Sequence, residues 1–142
     1  MSGIQTQKLT VVKVGGAILE DAESLSGFLD RFVALPGLKI LVHGGGRAAT
    51  RMAAKLGIES KMVEGRRITD AETLEIVTMV YGGLVNKNTV AALQARDCNA
   101  AGFTGADLNL VKASKRPVAD IDYGFVGDIT AVQSGAFANL LQ

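Results

Sequence analysis

Two stretches of the chain are nearly continuous in apolar residues, LTVVKV at positions 9–14 and LKILV at positions 38–42. Both stop close to glycines: Gly15-Gly16 follow the first stretch, and Gly44-Gly45-Gly46 follow the second after His43. Such unbroken apolarity is typical of strands that are covered on both faces in a parallel sheet. We therefore predict two buried parallel strands, each ending in a glycine-rich turn.

The segments between and after these strands change to helical spacing. From Asp21 onward apolar residues recur at intervals of three and four, until Pro36-Gly37 closes the pattern. Residues 47–57 predict a second helix, with Gly57 as its C-terminal stop. The order is one β-α-β-α unit. The residues expected on the buried faces of the two helices are Leu25, Phe28, Leu29, Phe32, Ala48, Met52 and Leu56.

Residues 58–68 are mixed in polarity and predict a short hairpin at the surface. Thr69 and Glu72 have the spacing of a capping box, which opens the longest helical pattern, running to about residue 96 or interrupted once. Gly82 and Gly83 would each cost about 1 kcal/mol relative to alanine inside this helix. We therefore expect a ligand or a neighbouring helix to approach the backbone there.

The last third of the chain predicts mostly β structure. Residues 100–104 predict a further strand, and residues 108–113 and 123–132 predict the paired strands of an exposed hairpin with KRP near its turn. Residues 134–141 start a final helix. These elements indicate an α/β protein with a mainly parallel central sheet and a β-hairpin excursion.

Composition narrows the class of partner. The chain of 142 residues suits one domain, and its net charge of +1 provides no basic field for holding nucleic acid. No apolar stretch reaches the roughly 20 residues needed to cross a bilayer, and the polar N-terminus lacks the core of a signal peptide. With one cysteine, Cys98, and one histidine, no disulfide framework and no metal site are expected. We expect a cytoplasmic protein whose partner is a small molecule.

The two glycine clusters are the first candidates for chemistry. In a parallel α/β sheet, ligands bind at the carboxyl ends of the strands, where both clusters fall. A helix that starts after glycine offers free N–H groups and the positive end of a dipole to an anion. Gly44, Gly45 and Gly46 are therefore candidates for holding a carboxylate or phosphate, although a tight turn without a ligand would have the same sequence.

Lys13 stands at the end of the first predicted strand. A lysine there either extends its stem so that the ammonium reaches water, or it neutralises a transferring phosphoryl group at the ligand edge of the sheet. Position alone leaves both possibilities open.

A dinucleotide-binding module is a rival interpretation. Residues 44–49 fit G-x-G-x-x-[GA], and Glu64 lies near the distance expected of a ribose-binding acid. Against it, that acid should end a strong second strand, and the sequence before Glu64 does not predict one.

Several other polar residues fall near the predicted site. Arg67, preceded by Arg66, comes just before the long helix and could grip a carboxylate through its guanidinium. Asn86-Lys87 interrupt the long helix and face either the ligand or water. We expect His43 to be packed and hydrogen-bonded, and Asp107 and Asp128 to occupy turns.

Taken together, the segments VVKVGGAIL, ILVHGGGRAATRMAAKLG, EGRRITDAETLEIVTMVYGGLVNKN, GFTGADLNLVKA and DYGFVGDITAV resemble the acetylglutamate kinases of the amino acid kinase family. The resemblance covers essentially the whole chain. It implies a three-layer αβα sandwich, usually a homodimer, that uses ATP with Mg²⁺ to phosphorylate the γ-carboxylate of N-acetyl-L-glutamate or a related N-acylglutamate in arginine biosynthesis. Acetyl and succinyl groups remain open.

The resemblance also implies roles for individual residues. Lys13 matches the lysine that stabilises the transferring phosphoryl group, and Gly15 and Gly16 match the adjacent phosphate-contacting turn. Arg67 matches the arginine that grips the α-carboxylate of the substrate. The remaining matches are Gly44, Gly45 and Gly46, in the loop that contacts the acylated amino acid, and Asn86, on the long helix 70–96 that forms much of the dimer interface.

Members of the family continue well beyond residue 142, into a half that holds ATP. The resemblance therefore implies that residues 1–142 form the N-terminal lobe for acceptor binding and dimerisation, without the nucleotide-binding half. We expect the isolated chain to be inactive. A fragment that only binds the acylated amino acid or dimerises is the alternative.

Overall fold

The computed structural model describes residues 8–141. They form six helices and six strands, with a π-helical segment at Met79–Val85 and a 3₁₀ turn at Asp107–Asn109. In chain order the elements are β1 (Leu9–Val14), α1 (Gly16–Glu20), α2 (Ala22–Val33), β2 (Leu38–His43), α3 (Gly46–Lys55), β3 (Met62–Val63), β4 (Arg66–Arg67), α4 (Ala71–Thr78), α5 (Asn86–Gln94), β5 (Val111–Lys115), β6 (Gly127–Val132) and α6 (Ser134–Leu140).

The centre of the described fold is a parallel pair of strands. β1 and β2 are paired in register from Leu9 with Leu38 to Val14 with His43, as the two apolar runs predict. One face of the pair packs on α2 and α5. Its core contains Leu29, Phe32 and Leu93, with Val12 and Leu41 of the strands packed against them. The predicted α/β class with a parallel sheet is confirmed.

The opposite face of this pair is open within residues 8–141. Val11 is 60% exposed and Val42 is 45% exposed, and Lys13 lies beside them on the same face. The prediction that both strands are covered on both faces is therefore wrong for the described residues. The strands carry apolar side chains on both faces, but the helices described here cover only one of them.

A second core joins α3 to the long helix. Its buried residues are Ala49, Ala53, Ile76 and Val80; the two alanines have short side chains that let the helices lie close together. The predicted buried face of α3 is partly wrong. Ala48 and Met52 pack at the margin of this core, whereas Leu56 is 57% exposed. Leu56 follows the last helical turn, and Gly57 with φ +74° ends it as predicted.

The long helix is interrupted once, as its sequence allows. The π-helical segment contains Gly82 and Gly83 and separates α4 from α5. A Cβ on Gly82 would lie 3.0 Å from Cγ2 of Thr104, so a close approach is present, but it comes from a loop side chain and not from a neighbouring helix. Nothing lies within 4 Å of a Cβ on Gly83. No helix among residues 8–141 is long and apolar enough to cross a membrane.

Two antiparallel hairpins lie beyond the parallel strands. β3 pairs with β4, and β5 pairs with β6, so both predicted hairpins are present. The strands of the second hairpin begin later than the predicted 108 and 123, at Val111 and Gly127, and residues 107–109 form a 3₁₀ turn. The hairpins are joined where Thr69 forms a bridge with Gly124. This contact corrects the predicted cap: Asp70, not Thr69, accepts the N–H of Thr73 at 2.9 Å and begins α4. Thr69 is buried against the second hairpin.

Two further corrections concern short segments. Residues 100–104 do not form the predicted strand, because no neighbouring strand in the described part of the chain pairs with them. Side chains of the long helix bind their carbonyls instead: Gln94 donates to Ala100, and Lys87 donates to Gly102. The short helix α1 was not predicted, since it follows Gly15 without a capping side chain.

Candidate functional site

Both glycine clusters lie at one edge of the parallel strands. The last register pair is Val14 with His43, so the glycine turn (Gly15-Gly16) and the glycine loop (Gly44–Gly46) follow neighbouring strand ends. The predicted position of both clusters is confirmed. Helices α1 and α3 start from these clusters, so their N-termini point their free N–H groups toward the same edge.

Lys13 lies at this edge with its side chain exposed, while the next residue, Val14, is only 1% exposed. Among residues 8–141, no hydrogen bond or ion pair holds its ammonium. The structure therefore places a free positive charge one residue before the end of β1. That is the arrangement in which an ammonium can meet an anion bound at the glycine turn.

The glycine loop presents an unoccupied donor. Gly45 begins α3 without a side-chain cap, and within the described residues its N–H makes no hydrogen bond. A side chain would not fit there, because a Cβ on Gly45 would lie 2.7 Å from Cδ1 of Tyr81. Tyr81, which sequence analysis did not single out, thus closes one side of the loop. A free N–H at a helix start suits an anionic oxygen.

Arg47 is a second cation that sequence analysis missed. A Cβ on Gly16 would lie 3.8 Å from both Cγ and Cδ of Arg47, so the arginine stem bridges the glycine turn and the start of α3. Its side chain is exposed. The available signal was its place in the first turn of a helix, where acidic residues are preferred and a basic residue is unfavourable unless an anion is near.

Arg67 connects the first hairpin to the glycine loop. Its Nη2 donates to the carbonyl of Gly46 at 3.0 Å and to Oγ1 of Thr50 at 2.7 Å, and its Nη1 donates to Oγ of Ser60 at 2.6 Å. The structure therefore brings Arg67 to the start of α3, beside the predicted site. Its neighbour Arg66 is exposed and lies on the opposite face of β4.

Asn86 is buried beneath the loop, at 5% exposure. Its Nδ2 lies 3.2 Å from Nε2 of His43 and 3.4 Å from the carbonyl of Phe103. His43 is therefore packed and hydrogen-bonded, as predicted. The amide of Asn86 faces these protein groups. It is connected to the glycine loop through His43, whose Nδ1 lies 2.9 Å from the carbonyl of Gly44.

The remaining polar residues form local structure. Asp107 accepts from the backbone N–H and from Oγ1 of Thr104, and these bonds lower the pKa of its carboxyl. The guanidinium of Arg116 lowers the pKa of Asp128 across the second hairpin. Asp107 lies in the 3₁₀ turn, as predicted, whereas Asp128 lies in strand β6 and not in a turn, so that prediction is wrong. Residues 8–141 contain no group of three or more His, Cys, Asp or Glu that could hold a metal ion.

Glu64 does not have the position that a ribose-binding acid needs. It lies in the tight turn between β3 and β4, where its φ is +50° and that of Gly65 is +75°. The parallel strand that follows β1 in the sheet is β2, and it ends in His43. The geometry therefore gives no support to a dinucleotide module.

A cleft of about 190 Å³ lies behind the two glycine clusters, between α1, α3 and the long helix. A wider depression of about 450 Å³ lies at the opposite end of β1 and β2, around Pro36-Gly37. The ligand edge of a parallel sheet is its carboxyl edge, and the smaller cleft is the one that reaches the glycine clusters, through Gly16 and Gly45. Lys13 and Arg67 do not line it, so the cleft adjoins the candidate site and does not contain it. It is lined by Gly16, Gly45, Ala48, Arg51, Leu84 and Thr89.

Several curated proteins with similar sequences are acetylglutamate kinases. The chain is 63% identical over 136 residues to the acetylglutamate kinase of Phocaeicola vulgatus, covering 96% of this chain and 53% of that protein. The acetylglutamate kinase of Parabacteroides distasonis is 63% identical over 95% of this chain, and that of Cytophaga hutchinsonii is 59% identical over 95%. The chain spans about half the length of the curated relatives it matches.

Solved structures with a similar fold are more distant in sequence. A crystal structure of smu.665 from Streptococcus mutans matches 94% of this chain with a TM-score of 0.74 at 22% identity, and the match covers 54% of that chain. N-acetylglutamate synthase from Neisseria gonorrhoeae, complexed with coenzyme A and N-acetyl-glutamate, matches with a TM-score of 0.70 at 24% identity. This match covers 94% of the chain described here and 31% of the synthase. At these identities the likeness shows the fold.

The sequence profile of the amino acid kinase family matches residues 8–142. Strand order, the two glycine clusters and the lysine before the first cluster all fall within this match. The chain belongs to the amino acid kinase family.

Proposed function

We propose that this chain is the acceptor-binding half of an acetylglutamate kinase, which transfers the γ-phosphoryl group of ATP to the γ-carboxylate of N-acetyl-L-glutamate. The observation that carries the proposal is that Lys13 and the two glycine clusters lie at one sheet edge, where Arg67 is hydrogen-bonded to the glycine loop. The chain is 63% identical to acetylglutamate kinases over nearly its whole length, which supports the same substrate.

The acceptor has two carboxylates, and the edge offers two kinds of group for them. The guanidinium of Arg67, held at the start of α3, is suited to the α-carboxylate. The free N–H of Gly45 and the N-terminus of α3 suit an oxygen of the acylated amino acid. Together they would fix the acceptor with its γ-carboxylate toward the glycine turn.

Lys13 would act on the phosphoryl group in transfer. An oxygen of the γ-carboxylate attacks the γ-phosphorus while the bond to the β,γ-bridging oxygen breaks, which gives an acyl phosphate and ADP. The acceptor is already ionised, so no general base is needed, and the reaction depends on alignment and on charge neutralisation. An exposed ammonium beside the glycine turn supplies that charge.

The residues described here fit only part of the nucleotide. Lys13 and the glycine turn suit the terminal phosphates, and Arg47 adds a second positive charge nearby. Residues 8–141 contain no cluster of metal ligands, so Mg²⁺ would be held by the nucleotide and by groups outside them. When bound, Mg²⁺ neutralises phosphate charge. We propose that the second half of the kinase binds ATP, and that the enzyme works in the cytoplasm, where ATP is available.

We further propose that the chain forms a homodimer through the long helix 70–96. Met79 is 56% exposed and Leu84 is 47% exposed on this helix, so apolar side chains are available for contact with a second copy. Analytical ultracentrifugation tests this. We expect a dimer that Met79→Lys separates into monomers, since Met79 does not line the cleft; a wild-type monomer at micromolar concentration would contradict the dimer.

Calorimetry on the 142-residue chain tests whether this half binds the acceptor while the second half of the kinase binds ATP. We expect N-acetyl-L-glutamate to bind with one site per chain, and ATP to bind weakly or not at all. Absence of N-acetyl-L-glutamate binding would contradict the acceptor role. Acceptor-dependent ATP hydrolysis by the isolated chain would contradict the assignment of ATP binding to a second half.

The role of Lys13 is tested in a full-length kinase that contains this segment. We expect Lys13→Ala to lower kcat by at least 100-fold with little change in the KM for N-acetyl-L-glutamate, because the ammonium acts on the transferring group. Lys39→Ala is a matched control, since Lys39 binds the carbonyls of Val33 and Leu35 on the covered face of the sheet. Near-normal turnover of Lys13→Ala would contradict the role.

A further inference from the structure

We propose that Asn86 is a positioning residue that acts on the glycine loop through His43. The three groups form a chain of hydrogen bonds: Nδ2 of Asn86 lies 3.2 Å from Nε2 of His43, and Nδ1 of His43 lies 2.9 Å from the carbonyl of Gly44. The imidazole of His43 thus connects the long helix to the loop. The expected effect of these hydrogen bonds on acceptor affinity rests on the proposed function.

The orientation of the Asn86 amide is fixed by its surroundings. The same nitrogen that faces His43 also faces the carbonyl of Phe103 at 3.4 Å, and a carbonyl can only accept. Nδ2 is therefore the donor at this position. The opposite atom, Oδ1, is buried without a partner among the described residues and packs against Gly102, where a Cβ would collide with it.

The donor on Asn86 selects the tautomer of His43. Because Nδ2 can only donate, Nε2 must offer its lone pair, and the proton of a neutral imidazole then resides on Nδ1. Nδ1 faces the carbonyl of Gly44, which can only accept, so both bonds are satisfied by one tautomer. The Nε2–H form would break both bonds at once.

The bond to Gly44 orients the next amide. A trans peptide is planar, so the carbonyl of Gly44 and the N–H of Gly45 belong to one rigid unit and point in opposite directions. When His43 holds that carbonyl, the N–H of Gly45 is directed away from His43. This is the N–H that makes no hydrogen bond among the described residues, and the proposed function assigns it to the acceptor.

A buried amide with one unsatisfied oxygen is costly. Leucine would fill a similar volume at position 86 without that cost. The positioning role gives a reason for an amide here: an apolar side chain would leave Nε2 of His43 without the donor that Asn86 supplies.

Nuclear magnetic resonance tests the tautomer directly, since the chain contains one histidine and its ring nitrogens are assigned without ambiguity. In the wild-type chain, at a pH where the ring is neutral, we expect two-bond ¹H–¹⁵N correlations to show Nδ1 protonated and Nε2 unprotonated. A protonated Nε2 with a bare Nδ1 would overturn the proposal without any variant.

Asn86→Asp tests the next link, because it replaces the donor by an acceptor of the same shape. We expect Nε2 of His43 to become protonated, the amide resonance of Gly45 to shift, and the Kd for N-acetyl-L-glutamate to rise about tenfold. Lys87→Met is the control: it removes a bond from the same helix to Gly102 and should leave all three unchanged. An unchanged tautomer and Gly45 resonance in Asn86→Asp would overturn the proposal.

His43→Phe supplies an independent variant, should Asn86→Asp fail to fold. It keeps a planar ring and removes both nitrogens, so we expect the same shift at Gly45 and the same loss of affinity. An unshifted Gly45 resonance would overturn the proposal. If the wild-type chain does not bind N-acetyl-L-glutamate at all, the proposed function fails, while the tautomer and the Gly45 resonance still decide the positioning role.

Discussion

Arg67 holds the carbonyl of Gly46 from a distance of 21 positions along the chain, with Nη2 at 3.0 Å. The contact joins β4 to the first turn of α3, and the same guanidinium also donates to Thr50 and Ser60. These hydrogen bonds fix the shape of the glycine loop. Under the proposed function, the same guanidinium also binds a carboxylate of the acceptor. A side chain whose donors all lie on one nitrogen cannot reach these separate partners as the two Nη atoms do.

Arg67→Lys separates charge from geometry. Lysine keeps the positive charge but loses the planar fork, so its single nitrogen cannot reproduce the hydrogen bonds of both Nη atoms. We expect the Kd for N-acetyl-L-glutamate to rise at least tenfold, measured by calorimetry on the 142-residue chain. Arg66→Lys is the matched control, since the side chain of Arg66 is exposed on the other face of β4. Equal affinities of the two variants would count against the role of Arg67.

The edge that carries the site could be predicted because its signals are local. An apolar run that ends in glycine marks a strand end, and two such runs separated by a helix place both ends at one edge. The hydrogen bonds of Arg67 could not be predicted in this way, since they depend on how the first hairpin folds back onto α3. The position of Arg47 beside Gly16 could not be predicted either, because this contact joins two separate turns.

Gly45→Ala tests the closeness of the glycine loop to the long helix. The new Cβ would lie 2.7 Å from Cδ1 of Tyr81, so the tyrosine or the loop must move. We expect the free energy of unfolding in urea to fall by about 1–3 kcal/mol. Gly44→Ala is the control, because nothing lies within 4 Å of a Cβ there, and its stability should stay close to wild type. Equal stability of the two variants would show that Tyr81 does not pack on Gly45.

The errors in the predicted fold have a common physical source. Residues 100–104 have the composition of a strand, but a strand needs a neighbour, and composition does not reveal whether one is present. Thr69 has the spacing of a cap, but its backbone is taken by Tyr123 and Phe125 of the second hairpin. Asp70 then becomes the cap. In both places a long-range contact overrides a local pattern.

The contribution of Asp70 to the stability of the fold should depend on pH. Its bonds to the N–H and side chain of Thr73 lower the pKa of its carboxyl from 3.8. A lowered folded-state pKa means that the carboxylate stabilises the fold above pH 3.8, and that this contribution is lost as the pH falls through the folded-state value. We expect Asp70→Ala to have a lower Tm than wild type at pH 7, and this difference to become smaller in acid.

Asp70→Asn is the control for that measurement. Asparagine also accepts the capping hydrogen bond but does not ionise. Its Tm difference from Asp70→Ala should therefore stay nearly constant as the pH falls, while the difference between wild type and Asp70→Ala declines. Calorimetric Tm values between pH 2.5 and pH 7, about the range that spans the ordinary aspartate pKa, provide the comparison. A pH-independent gap between wild type and Asp70→Ala would contradict the capping charge.

Gly124 and Gly65 form a matched pair for testing how the two hairpins are joined. Both have a positive φ, +73° and +75°, so alanine strains the backbone at either position by about 1 kcal/mol. Only at Gly124 would the new Cβ also collide with the carbonyl of Thr69, while at Gly65 nothing lies within 4 Å. We therefore expect Gly124→Ala to be destabilised by at least 1 kcal/mol more than Gly65→Ala in urea unfolding, since backbone at a bridge cannot yield as a flexible side chain can. Equal losses would mean that backbone strain accounts for both, and that the hairpins are not packed against each other at Thr69.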